Sequence, residues 1–440
     1  MACMTFINHA SFVVSHNGAT LLADPWFFGS AFNDGWDLLV DTPRALQSFD
    51  GVTHIWYSHE HPDHFSVPTL RSVPENRRRD ITILFQTTRD KRVVRFCERL
   101  GFTVIELEGG QPFELAPDFS IAVWKWGLGD SFCRIDAGGV RLLNLNDCVV
   151  STARQAKAIS MATGPVDVLL SQFSYANWCG NEADVDRRRQ EAAEKLARVR
   201  YQIEALRPRL TIPFASFAYF SHVENFYLND CVNTPAMVRD ALGQRYAGSR
   251  IHFMSPGDAV ELPDVVAHRE WPDDQAAIDL YAAAYARIAP ARHSQPVTVQ
   301  QLQTLAEAFG KRVRSLGPVP RFLERIGYVK PLVFRLTDLD GASVRLSYGS
   351  GLEVGRFGHA DCLISSGTLA FLLKNDFGYD AVEVSGQFRT LAPDAERTLS
   401  RFFSFSSFIN NGFSNPLTIG WFLVQRLCRS RAPLLYVRMS

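Results

Sequence analysis

The sequence predicts an α/β protein, a sandwich of mostly antiparallel sheets followed by a smaller α+β region. Short apolar runs bounded by Gly, Asn, Asp and Pro recur from Phe6 to Leu145 with few helical stretches between them. At 440 residues the chain exceeds the ~250–300 at which a single core stops growing. The texture changes at about Pro263, which sets expected domains at 1–262 and 263–440.

Phe6–Val14 and Ala19–Ala23 read as strands joined by the turn Ser15-His16-Asn17-Gly18, and the second ends in Asp24-Pro25-Trp26. Val52–Tyr57 reads as a buried strand, Val67–Val73 as a short helix, Ile81–Phe85 as a strand and Arg89–Leu100 as a helix stopped by Gly101. Thr103–Glu106, Phe119–Trp126, Ser131–Asp136 and Val140–Leu145 follow as strands, with Ala137-Gly138-Gly139 as a turn. Then come strand Val166–Ser171, the long helix Glu182–Leu206 and strands Leu210–Phe214 and Ile251–Ser255. Beyond Pro263, Gln275–Ile288, Thr298–Arg314 and Ser365–Lys374 have helical spacing; Leu332–Asp338 and Ala342–Tyr348 form a hairpin, and Tyr379–Phe388 reads as strand.

Chemistry concentrates in Ser58-His59-Glu60-His61-Pro62-Asp63-His64, where three imidazoles and two acids follow an apolar strand. Pro62 favours a rigid loop from which alternate side chains converge. Asp24 and Asp147 stand at the lips of other strands, Asp24 as a site wall or outer partner or, equally, an acid capping a turn, and Asp147 as a candidate to bridge two metals. His222, after the aromatic patch Ser216–Phe220 that contains Tyr219, is the remaining isolated imidazole with a ligand reading. His9 falls inside the first strand, where a core histidine is preferred to a ligand, and Glu60 is expected to alternate away from the metals. Gln172–Trp178 offers Tyr175 and Trp178 to a pocket. The Arg187-Arg188-Arg189 run sits at the unfavourable end of a helix dipole, with a solvated face preferred to an anion site.

The 46 basic and 46 acidic residues cancel, which gives no electrostatic case for nucleic acid or an anionic membrane and favours a small-molecule substrate. Eight scattered cysteines without a C-x-x-C pair, and no secretory pattern at Met1–Gly18, point to the cytoplasm. No apolar run reaches the ~18–20 residues of a membrane span; Pro416–Leu427 is read as a packed terminal helix. Self-association is left open.

His59-x-His61-x-Asp63-His64, with Asp24 before it and Asp147 and His222 after it, resembles the metallo-β-lactamase superfamily over Phe6–Asp258. The resemblance implies a four-layer αββα sandwich with metals at the strand ends. Leu22–Trp26, Tyr57–Ser58–His59, His64–Phe65–Ser66, Pro213–Phe214–Ala215 and Asn233–Thr234–Pro235 are similar to the corresponding part of cytidine monophosphate N-acetylneuraminate hydroxylases. Those enzymes hydroxylate an N-acyl group with O2 and carry a Rieske domain; no cysteine here is followed by histidine at Rieske spacings, so electrons are expected from an external donor. Ser365–Phe388 faintly resembles sterol-carrier domains.

Superfamily hydrolases place a third histidine between the histidine loop and the bridging acid, and Glu106–Asn146 contains none. The resemblance then implies His59, His61 and Asp147 for one metal, with Asp130 as stand-in for the lost histidine, and Asp63, His64 and His222 for the other, Asp147 shared. Asp63 and Asp147 are the expected catalytic carboxylates. Such a set favours iron, with zinc or manganese as alternatives. The expected activity is a dinuclear non-haem iron oxygenase with O2 as co-substrate; the alternative is a zinc hydrolase of an ester, amide or phosphodiester.

Overall fold

The computed structural model describes residues 1–42, 49, 51–127, 129–267 and 273–413. The expected terminal helix Pro416–Leu427 lies outside them.

Two sheets form the sandwich. One has seven strands in the order Ala259–Glu261, Cys3–Asn8, Ser11–His16, Ala19–Ala23, His54–Tyr57, Thr82–Gln86 and Thr103–Leu107. The other has eight, in the order Arg245–Tyr246, Ser249–Ile251, Leu210–Phe214, Val168–Gln172, Val140–Asn144, Asp130–Ala137, Phe119–Trp126 and Phe113–Ala116. Side chains alternate as the pleat requires. Leu21, Ala23 and Trp56 enter the core between the sheets. Leu22, Ile55 and Tyr57 point outward, under the helices Val67–Arg71 and Arg92–Arg99 with Leu70 and Val93. The helices Ala153–Thr163 and Val185–Leu206 cover the far side of the second sheet through Ile159, Val199 and Ile203. This is the four-layer αββα sandwich, in a mixed rather than mostly antiparallel form. Ala19–Ala23, His54–Tyr57, Thr82–Gln86 and Thr103–Leu107 are parallel, as are Val140–Asn144, Val168–Gln172, Leu210–Phe214 and Ser249–Ile251. Parallel neighbours need crossovers, and the helices supply them.

One local difference reorganises the site. Phe6–Val14, expected as one strand, is two strands that reverse at His9 and Ala10, with Phe6 opposite Phe12 and Asn8 opposite Ser11. Asn8 Oδ1 accepts from the His9 backbone N–H at 2.9 Å, and His9 takes φ +45°. The asparagine competes for the backbone as a turn residue does. Asn17 and Gly18, both with positive φ, make the next turn, between Ser11–His16 and Ala19–Ala23.

Beyond the sandwich, a five-stranded sheet contains the hairpin Leu332–Leu336 and Ser343–Ser347. Tyr379–Phe388, expected as strand, is instead the helix Gly378–Ser385 followed by the short strand Arg389–Thr390. Its buried Tyr379, Val382 and Ser385 recur at spacing three, so the helical period outweighs the β-branched composition. Helix Gln275–Tyr285 packs into the first core, where Tyr281 stacks on Phe217 with ring centroids 4.0 Å apart. The second core mixes Trp26, Phe32, Trp36 and Tyr175 with Phe334, Leu369 and Phe402, so the two parts share an apolar seam.

Candidate metal centre

One edge of the sandwich collects the ends of several strands. Cys3–Asn8 delivers His9, Ala19–Ala23 delivers Asp24, His54–Tyr57 delivers Ser58 to His64 and Val140–Asn144 delivers Asp147, while the antiparallel Asp130–Ala137 begins there with Asp130. His9, Asp24 and Asn146 all adopt positive φ, backbone conformations that cost energy for side-chain-bearing residues and recur at functional sites.

Donor atoms fall into two groups, each with its atoms within 4.8 Å of one another: His59, His61 and Asp147; and His9, Asp63 and His64. His64 links them, its Nε2 lying 3.4 Å from Asp63 Oδ2 and 3.3 Å from Asp147 Oδ2. His9 Nε2 is 3.4 Å from the same Asp63 oxygen. Asp24 orients the cluster from behind. Its carboxylate accepts from the Ser58 backbone N–H and hydroxyl, both at 2.7 Å, and from His64 Nδ1 at 2.9 Å, which leaves His64 Nε2 directed at the site. With its hydrogen given to Asp24, the Ser58 hydroxyl accepts from His59 Nδ1 at 2.9 Å, and His59 Nε2 is free in turn. Carboxylate partners behind imidazoles are how metal-binding histidines are usually fixed.

Hydrogen-bond accounting tests whether a cation fits. The side-chain atoms His9 Nδ1 and Nε2, His59 Nε2, His64 Nε2 and Asp63 Oδ1 are buried without hydrogen-bond partners among the described residues. Each such orphan costs about 1–3 kcal/mol. Buried polar groups are otherwise almost always paired, and a metal ion satisfies these atoms together. Protonation points the same way: burial and the neighbouring His64 hold His59 down to about 4, and burial with His59 does the same for His61, so both are neutral imidazoles ready to donate a lone pair. His64 is pushed the other way. Burial opposes its charge, but Asp63, Asp147 and Asp24 converge on it and raise it well above the ordinary range. So many carboxylates around one imidazole call for a cation.

Asp130 does not join either donor group; it is close enough to His61 for that ring to be its strongest opposing charge, while burial raises its carboxyl. His222, expected as a ligand, belongs to neither group. Its Nε2 meets Ser294 Oγ at 3.1 Å and its Nδ1 accepts from the Glu224 N–H at 3.2 Å, so both nitrogens are engaged at the seam with the C-terminal part. His9 takes the place expected of it, because the reversal at His9 and Ala10 moves that imidazole from a strand interior to the lip. The turn residues Asn8 and Ser11 are the sequence signal for that reversal.

Glu60 points away, with its carboxylate 3.8 Å from Arg92, and burial raises it to about 7. Tyr175 and Tyr219, with Trp36 and Phe220, line a cavity of about 20 Å³ that reaches His9, space for one water. Trp178 does not line it: the ring packs on Phe388, centroids 4.9 Å apart, beneath the Arg187 guanidinium. The arginine run meets protein carboxylates, Arg187 with Glu396, Arg188 with Asp230 and Arg189 with Asp186. No helix among the described residues is long and apolar enough to cross a membrane.

A profile of the beta-lactamase superfamily domain matches residues 3–172. The cytidine monophosphate-N-acetylneuraminic acid hydroxylase of Danio rerio is 23% identical over 292 residues, covering 60% of this chain and 47% of that protein. The chain thus spans about half the length of the curated relatives it matches. Among solved structures, CmlA, a diiron beta-hydroxylase from Streptomyces venezuelae, is 17% identical with a TM-score of 0.42 over 59% of this chain and 54% of that one. An isothiocyanate hydrolase from Delia radicum gut bacteria is 16% identical with a TM-score of 0.42 over 59% of this chain and 99% of that one. Likenesses this slight carry no argument about the reaction. Residues 3–172, the stretch that matches the beta-lactamase superfamily domain, supply every donor of the two groups.

Proposed function

We propose that the chain is a dinuclear non-haem iron oxygenase that oxidises a small organic substrate by hydroxylation or N-oxygenation. The observation that carries this reading is the donor set: two imidazoles with one carboxylate in one group, the same composition in the other, and a further carboxylate, Asp130, beside His61 where a hydrolase site would hold an imidazole. Two imidazoles with one carboxylate and open positions are the set typical of non-haem Fe(II) oxygenases. The hydroxylase name of the curated relatives agrees with it.

Iron held by these donors would supply O2-activating redox chemistry. The chain's own residues do the rest. Asp24 holds the proton on His64 Nδ1, and Ser58 holds that on His59 Nδ1, so each ring presents Nε2. The Phe32 ring against His61 and the Trp26 ring against His9, at centroid distances of 5.4 Å, wall the centre from water. The residues beyond 262 shape the approach through the seam they share with Trp26 and Phe32. The seven described cysteines are free, which suits a reducing compartment such as the cytoplasm.

Metal analysis with optical spectroscopy on protein produced without added zinc tests the reading. Two irons per chain, with a spectral change on reduction and re-exposure to O2, are expected. Stoichiometric zinc together with turnover of an ester, amide or phosphodiester would overturn it in favour of a hydrolase.

A further inference from the structure

Helix Val185–Leu206 turns a stripe inward that includes Ala192, Lys195, Val199, Ile203 and Leu206. A lysine at that place has no packing rationale, and burying its charge is costly. Its ammonium donates to Gln172 Oε1 at the end of the strand Val168–Gln172. Gln172 Nε2 in turn donates to Asp147 Oδ1 at 3.0 Å. The other oxygen of that carboxylate, Oδ2, is the one 3.3 Å from His64 Nε2.

The direction of this chain of bonds follows from donor chemistry. An ammonium has donors and no acceptor. It requires the oxygen end of the Gln172 amide, which leaves the NH2 end for Asp147. The opposite flip would set donor against donor at Lys195 and oxygen against oxygen at Asp147. We infer that Lys195 is a positioning residue of the metal centre: by fixing the flip of Gln172 it reserves Asp147 Oδ1 for a hydrogen bond and leaves Oδ2 as the single oxygen offered to cations. The expected bridging role of Asp147 then narrows to one atom. The inference rests on Asp147 being a ligand and is independent of whether the enzyme is an oxygenase or a hydrolase.

Positioning and plain electrostatics have opposite signs here. An ammonium near two cations repels them, so if charge alone mattered its removal would tighten metal binding. If Lys195 positions Asp147, its removal weakens binding although a repulsive charge is lost.

Apparent affinity for Co(II) as probe, measured by chelator competition on the full chain, separates the two for Lys195→Met, Gln172→Met and the double variant. Apoprotein melting temperatures are recorded alongside. Lys195→Met is expected to weaken binding by about tenfold to a hundredfold, the usual effect of losing an outer partner of a ligand. In the Gln172→Met background it should add nothing, because its effect passes through that amide. Lys195→Gln, whose amide meets Gln172 with either end, keeps the site filled if the methionine variant does not fold, and should also weaken binding. Unchanged or tighter binding in the Lys195 variants, or simple additivity in the double variant, overturns the inference. If Asp147→Asn loses metal while the Lys195 variants keep wild-type affinity, only this inference fails; if Asp147→Asn also keeps its metal, the ligand assignment beneath it fails too.

Discussion

His9, His59 and His64 on one side and His222 on the other are equally hidden, at 1%, 2%, 0% and 1% exposure. Burial therefore does not separate a candidate ligand from a hydrogen-bonded histidine. The nitrogens do. The first three each keep at least one ring nitrogen without a hydrogen-bond partner among the described residues, whereas His222 has Ser294 on one side and the Glu224 N–H on the other. The sandwich edge is built with unfilled donor capacity. At the seam with the C-terminal part, Ser365 and Thr368 donate to Glu224, and Asn225 donates to Gly35 O and Ser385 O.

That contrast can be broken at several points. The largest effect is expected from His59→Ala, which should remove one metal equivalent and cut turnover by at least about a hundredfold, read by metal analysis and steady-state kinetics. Wild-type metal content in this variant would remove the basis of the contrast. Next comes Asp24→Asn, which replaces an acceptor of three hydrogen bonds by a group that also donates. Metal affinity should fall by about tenfold to a hundredfold and the apoprotein should lose roughly 2–4 kcal/mol in denaturant titration.

A smaller effect, opposite in sign, is expected in the C-terminal part. Burial raises Asp380 to about 6 from an ordinary 3.8, and the Ser407 hydroxyl, at 3.2 and 3.3 Å, with a backbone N–H compensates it in part. Between those two values the folded state keeps a proton that the unfolded chain has released. Stability therefore falls as pH rises through that window, and the cost is complete above it. Asp380→Asn should gain about 1–3 kcal/mol at pH 8 and nothing below pH ~3.5; no gain at pH 8 would mean that the carboxylate is better solvated than its surroundings imply. The smallest effect is expected from His222→Asn, a loss of about 1–2 kcal/mol in stability as one or two hydrogen bonds go, with metal affinity unchanged.

Much of the candidate site was legible because it is local. The histidine loop carries its donors within His59–His64, and proline, alternation and the preceding apolar strand place them at a lip without knowledge of the rest. Asp24 and Asp147 were legible for the same reason, each standing directly after an apolar run. His9 was not, because the reversal at His9 and Ala10 is hidden in a run that alternates like one strand; only Asn8 and Ser11 betray it. His222 misled because a histidine beyond an aromatic strand looks the same whether its partner is a metal or a serine 72 residues further on. Lys195 was invisible, since its partner Gln172 lies on another element and a lysine in a charged helix reads as surface. Parallel pairing in the sheets was underestimated for a similar reason: it is decided by where the crossovers run, which local periodicity does not encode.

Metal content of His9→Ala beside His222→Ala, with wild type as reference, tests the central claim most directly. His9→Ala is expected to lose about one metal equivalent per chain, and His222→Ala is expected to keep the full complement. The reverse pattern, metal lost with His222 and retained without His9, would contradict the account.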